Sequence, residues 1–174
     1  SDNDQALTHD VVLAYNNIID FEPDNIKVMQ RIAHSLGKIG RQYEKECSDV
    51  IKTLSKIASI DQDIVVLREV THSLYDIGLA WKNKKSVFGP LLEMIHHPDT
   101  NLKVEIIHAI RTQLEGYWEK PVDVLKEIAL YDEDCRVRCS AVIALGDTGE
   151  YTSFSVRESV YELIEEVGKQ VFNL

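Results

Sequence analysis

Cysteine, glycine and proline are all scarce in this chain of 174 residues: three, eight and four respectively. Cys47, Cys135 and Cys139 are an odd number and too few for a disulfide scaffold, so a reducing, cytoplasmic setting is expected. So few glycines and prolines disfavour an all-β chain dense in turns. No run approaches the roughly 20 apolar residues that span a bilayer, so no membrane partner is expected. Basic residues are outnumbered, 19 Lys and Arg against 29 Asp and Glu, for a net charge of -10 and a pI near 5.0. That balance argues against a protein that coats nucleic acid, whose affinity comes from neutralising phosphates. The first residues, Ser1-Asp2-Asn3-Asp4, are acidic and lack the basic and apolar stretches of a secretory leader. Also missing are Gly-x-Gly-x-x-Gly, Gly-Lys-Ser/Thr, His-Glu-x-x-His and Gly-x-Ser-x-Gly, and with them the usual signatures of nucleotide, metal and nucleophile chemistry.

What is present is helical periodicity. Val11, Val12, Tyr15, Ile18 and Ile19 follow the i, i+3, i+4, i+7 spacing of one helical face, as do Val28, Ile32, Leu36 and Ile39, and then Val50, Ile51, Leu54 and Ile57. The pattern predicts an all-α chain of about nine helices, roughly 6–20, 25–40, 46–59, 63–80, 84–96, 101–116, 121–131, 134–146 and 153–170. The breaks are too short to divide domains, so 1–174 is read as a single domain.

A repeat runs through these helices. Segments starting at Asn25, Asp63, Asp99 and Asp134 are spaced 38, 36 and 35 residues apart, and each has a polar cap, a helix and a glycine near its end. Three apolar columns agree: Val28/Val66/Leu102/Val137, Ile32/Val70/Ile106/Ala141 and Leu36/Leu74/Ile110/Leu145. With a helix before each segment, the unit is a helical hairpin, giving repeats of approximately 6–40, 46–80, 84–116 and 121–149, with a half repeat at 153–170. Asp24, Asp61, Asp63, Asp99, Asp132 and Asp134 stand where helix N-caps are needed. The run Asp132-Glu133-Asp134 lacks the central Gly and terminal Glu of a calcium loop.

The fourth copy, Asp134…Val137-Arg138…Ala141…Ala144-Leu145-Gly146-Asp147…Gly149, resembles the HEAT repeat, specifically the short HEAT-like repeat of the phycobilisome-lyase type. Asp63…Leu67-Arg68…Ser73-Leu74…Ile77-Gly78 is a weaker copy, and the Trp…Leu-Gly…Tyr…Pro pattern of tetratricopeptide repeats is absent. The resemblance implies a right-handed α-solenoid of stacked helical hairpins with one continuous core. It also implies that Arg68, Arg138 and Arg157 pair with aspartates of neighbouring repeats.

Function is sought on the surface of the second helices. His34, His72 and His108 occupy one aligned column, with Ile143 in the fourth copy, about 200° from the core positions and therefore facing outward. The flanking rows are Lys27, Arg31, His34, Lys38; then Val65, Glu69, His72, Asp76; then Asn101, Glu105, His108, Thr112. Imidazoles on adjacent repeats about 10 Å apart cannot share one ion, and no nucleophile accompanies them, so a recognition strip is the reading adopted. An inert duplicated histidine is the competing reading.

Tyr43, Trp81, Tyr117, Trp118 and Tyr151 follow the repeat-ending glycines, where rings are expected to cover the seams between repeats. Trp81, beside Lys82, Lys84 and Lys85, and Trp118 are also candidate partner anchors. Cys135 and Cys139, at i and i+4, are expected to be small buried thiols. His96 and His97 point about 100° apart and are poor joint ligands.

Charge is uneven: residues 1–87 hold 13 acids and 11 bases, residues 88–174 hold 16 and 8. The second half suits a basic protein segment. The apolar end Val171-Phe172-Asn173-Leu174 suggests a homo-oligomer joined there, or a covering helix. The expectation is thus a non-catalytic protein-binding scaffold without metal or cofactor, presenting Arg31, His34, Glu69, His72, Asp76, Glu105 and His108 to a partner. Alternatives implied by the resemblance are a bilin-lyase-like enzyme or enzyme subunit and, against the acidic charge, a HEAT-like nucleic-acid-binding protein.

Overall fold

The computed structural model describes residues 2–60, 63–81, 85–114 and 119–149, together with Glu162, Glu165, Gly168 and Lys169, which are helical. Among the described residues there are eight α-helices and no strand. They are α1 (Asp2–Phe21), α2 (Ile26–Gln42), α3 (Cys47–Ile60), α4 (Ile64–Ala80), α5 (Phe88–Met94), α6 (Thr100–Arg111), α7 (Glu119–Tyr131) and α8 (Cys135–Gly149). Single 3-10 turns at Glu44–Glu46 and Lys85–Val87 lead into α3 and α5. None of these helices is long and apolar enough to cross a membrane. Most of the ninth expected helix, with the half repeat, Arg157, Tyr151 and the apolar C-terminal end, lies outside the described residues. The chain divides into two compact units, Ser1–Met94 and Ile95–Leu174.

In the first unit, helices two apart in the chain run parallel. His9, Asn16 and Asp20 of α1 meet Glu46, Thr53 and Lys56, which lie at the start of and along α3. On the other layer, Ala33 and His34 of α2 meet Ser73 and Glu69 of α4. Here the backbones come very close. A Cβ placed on Gly37 would lie 2.8 Å from Ser73 Cβ and 3.1 Å from Ser73 Cα, and one on Gly40 would lie 2.8 Å from Ile77 Cγ1. Ser73 Oγ uses that approach to donate to the Ala33 carbonyl at 2.9 Å. The Gly40 carbonyl, left without a helical partner near the end of α2, accepts from the Trp81 indole (2.7 Å) and from Cys47 Sγ (2.9 Å). The core follows the predicted columns: Ile32, Leu36, Val66, Val70 and Leu74 are buried, whereas Val28 is only partly so. On α1 the buried side is Thr8, Val12 and Ile19, while Ile18 of the predicted stripe is exposed. Polar Asn16 turns inward instead, donating to Thr53 Oγ1.

The second unit repeats the parallel arrangement, with α6 on α8. Leu102, Ile106, Ile110, Val137, Ala141 and Leu145 are buried as expected. Its polar tie is the α7–α8 turn. Asp132 accepts from Lys103 Nζ at 2.7 Å, and Asp134 accepts from Thr100 Oγ1 at 3.0 Å while capping α8 through the Arg136 amide at 2.8 Å. Arg111 of α6 also pairs with Asp147 of α8. The resemblance assigned such cross-repeat bonding to Arg138. Instead, Arg138 donates to the Asp132 and Glu133 carbonyls of its own turn, because it follows the turn by one helical turn and lies over its free oxygens.

Other expectations are corrected locally. Asn25, not the exposed Asp24, caps α2, because Asn25 is the residue whose side chain faces the Val28 amide. Asp63 and Asp99 cap α4 and α6 as predicted; Asp61 lies outside the described residues. The fifth helix is shorter than 84–96, beginning with a 3-10 turn that places Pro90 in its first turn, where an N–H is dispensable. The sixth ends at Arg111 rather than 116, its last carbonyls taken up by the turn amides of Thr112 and Gln113. Cys135 and Cys139 are exposed, not buried: Val137 and Ala141 hold the core side of α8, and Cys139 sits about 200° from each. Only Cys47 is buried.

The Arg136 side chain and amide beside Asp134 hold its carboxyl at about 2, below the ordinary 3.8. Its stabilising contribution is therefore complete above about pH 4 and is lost as pH falls toward 2. Asp134→Asn keeps a capping side chain but removes this charge. Urea midpoints of wild type and variant should differ at pH 6 and converge near pH 2. Gly37→Ala, despite the higher helix propensity of alanine, should cost about 1–3 kcal/mol by forcing α2 and α4 apart. Gly146→Ala, where a new Cβ meets nothing within 4 Å, should instead stabilise by up to about 1 kcal/mol, both read by denaturant unfolding.

Candidate binding groove

The close approach of α2 to α4 sets up a groove above it. Gly37 and Ser73 are too small to fill the seam, and the longer residues on either side stand as walls. His34, Lys38, Arg41 and Gln42 of α2 face Glu69, His72 and Asp76 of α4 around a cleft of about 470 Å³. The α2 wall is basic and the α4 wall acidic.

An imidazole–carboxylate contact crosses the cleft. His34 Nδ1 donates to Glu69 Oε1 at 2.8 Å, the imidazole 57% exposed and the carboxylate 20%. With Nδ1–H so engaged, Nε2 is left to a ligand, as an acceptor in the neutral ring and as a second donor in a protonated one. His72 is exposed and Asp76 half-buried, so both can meet a ligand.

His34, Glu69, His72 and Asp76 come together. Arg31 is exposed on α2 but does not line the cleft, standing one turn before His34. Glu105, half-buried, and His108, exposed, share α6 of the second unit. Trp118, Tyr117 and the lysines at 82 and 84 lie outside the described residues. Trp81 is half-buried, and its indole N–H is committed to the Gly40 carbonyl at the seam of α2 and α4. His97 has a local role, its Nδ1 accepting from the Asp99 amide at 3.1 Å before α6.

Arg41 and Gln42 were not singled out from the sequence. The signal for Arg41 was there: it follows Lys38 by three residues and so extends the His34–Lys38 row by one turn. The part played by Gly37 left no comparable signal, since a glycine inside a helix says nothing about what approaches it.

No protein-family model matches the chain, and no curated protein matches it significantly.

Trp81→Phe should remove the bond to Gly40 while keeping most of the ring. A loss of about 1 kcal/mol in unfolding free energy is expected, followed by circular dichroism.

Proposed function

We propose that the chain is a non-catalytic protein-binding module, a HEAT-like α-solenoid that takes a segment of a partner protein into the α2–α4 groove. The observation that carries this reading is the groove itself, a cleft between α2 and α4 lined by two imidazoles and by charges of opposite sign on its two walls. The stacked-hairpin reading is supported by bonds between parallel helices at separations near the 35–38 residue repeat, such as His34–Glu69, Asn16–Thr53 and Arg111–Asp147. Each hairpin in such a stack depends on its neighbours for a core, so the groove is held by rigid elements rather than by loops.

The chemistry of the cleft favours a polypeptide. Lys38 and Arg41 offer donors to a carboxylate, Glu69 and Asp76 accept from a cation, and the imidazoles bond in either sense. A phosphate backbone would gain at the basic wall what it loses at the acidic one. Selection by pattern along an extended segment, with basic residues set against α4 and acidic ones against α2, fits both walls.

Screening a peptide library against the 15N-labelled chain tests this. The expected binders carry charges of both signs, perturb amides of α2 and α4 around His34, Lys38, His72 and Asp76, and weaken at least tenfold, about 1.4 kcal/mol, when Asp76 is changed to Lys. Binders that map to other helices, or that ignore the charge reversal, contradict it.

A further inference from the structure

A second cluster lies away from the groove, where α1 meets the start of α3. His9 is exposed on α1, Glu46 closes the 3-10 turn before α3, and Asp49 lies in the first turn of α3. One donor atom from each of the three lies within 4.8 Å of the other two. We propose that His9, Glu46 and Asp49 bind a divalent first-row transition cation of the zinc type.

Burial gives the first reason. Glu46 is 8% exposed, and an ionised carboxylate so far removed from water needs strong partners. The contact given to its side chain is His9 Nδ1 at 3.4 Å. That is long for a charge-assisted hydrogen bond, which falls near 2.7–2.9 Å. It is close to the edge of a tetrahedron whose metal–ligand bonds are about 2.0–2.1 Å, an edge of about 3.3–3.4 Å. The separation thus leaves room for two atoms to share an ion, with a donor of Asp49 within 4.8 Å of both.

The helix N-terminus accounts for part of the cluster only. Acidic residues in a first turn interact favourably with the helix dipole, which explains an Asp at 49. It does not explain an imidazole from another helix set against them. Asp49 Oδ1 also meets Lys52 Nζ at 3.2 Å, with the lysine 74% exposed. Such surface pairs are worth little, so a cation can displace the lysine. One nitrogen and two carboxylate oxygens form a borderline donor set, which suits zinc and its first-row neighbours better than the all-oxygen shells of calcium or magnesium.

The site would also have a structural consequence. Below it, α1 is tied to α3 by Asn16 with Thr53 and by Asp20 with Lys56, at 2.9 and 2.6 Å. A cation on His9, Glu46 and Asp49 closes the N-terminal end of that seam, and binding to the folded chain alone raises its stability by mass action.

Calorimetric titration of the full, chelator-stripped chain with zinc chloride tests the proposal, alongside thermal unfolding with and without zinc. One zinc per chain, a raised unfolding midpoint and a shift of the His9 Nδ1 15N resonance are expected. His9→Ala, a change at an exposed position, and Glu46→Gln, which keeps the side-chain shape, should each weaken binding at least tenfold, and His97→Ala should leave it unchanged. Absence of saturable binding to the wild type overturns the site. Zinc held equally tightly by His9→Ala, or a resonance shift at another histidine in place of His9, overturns it as well.

Discussion

The approach of α2 to α4 at Gly37 is the constraint on which the rest of the first unit depends. With no side chain at 37, the two backbones come close enough for Ser73 to reach the Ala33 carbonyl. That closeness aligns the flanking rows, so His34 meets Glu69 across the seam and Lys38 and Arg41 line the same cleft as Asp76. Wider separation would turn a walled cleft into two unrelated helix surfaces. At the far end, the Gly40 carbonyl gathers donors from Trp81 and Cys47 and so joins the ends of α2 and α4 to the start of α3. A glycine, a serine and one carbonyl thus place the charged residues that give the groove its chemistry.

The packing of α1 on α3 is held differently. Between α1 and α3 the pairs are polar, with His9, Asn16 and Asp20 each set against a residue 36 or 37 positions later. In the second unit, Asp132 and Asp134 serve both their own turn and α6, through Lys103 and Thr100. Asp134 therefore both caps α8 and ties down α6. Such paired use keeps parallel helices in register where the apolar columns alone, built of similar β-branched and leucine side chains, would tolerate a slip.

Much of this was legible in the sequence because burial in a helix leaves a periodic trace. The columns at 32, 36, 70, 74, 106, 110, 141 and 145 are core, and the aspartates at 63, 99 and 134 cap the helices they precede. The outward face of His34, His72 and His108 followed from the same angular argument. What was missed depends on partners distant in sequence. Cys139 sits next to core columns in sequence but points about 200° from them, and its exposure follows from that angle rather than from the apolar character of a thiol. Arg138 bonds carbonyls of its own turn rather than an aspartate side chain of another helix. Glu46 reads as an ordinary surface acid, yet it is buried and meets His9 of α1.

The coupling between residues 37 and 73 tests the account most directly. Unfolding free energies of wild type, Gly37→Ala, Ser73→Gly and the double variant form a cycle. If the helices touch there, removing the Ser73 side chain relieves the clash of the new methyl group, and the double variant is more stable than the sum of the single changes predicts by about 0.5–3 kcal/mol. Free energies that add to within about 0.5 kcal/mol would mean that α2 and α4 do not meet at this point, and the groove built upon their meeting would not exist.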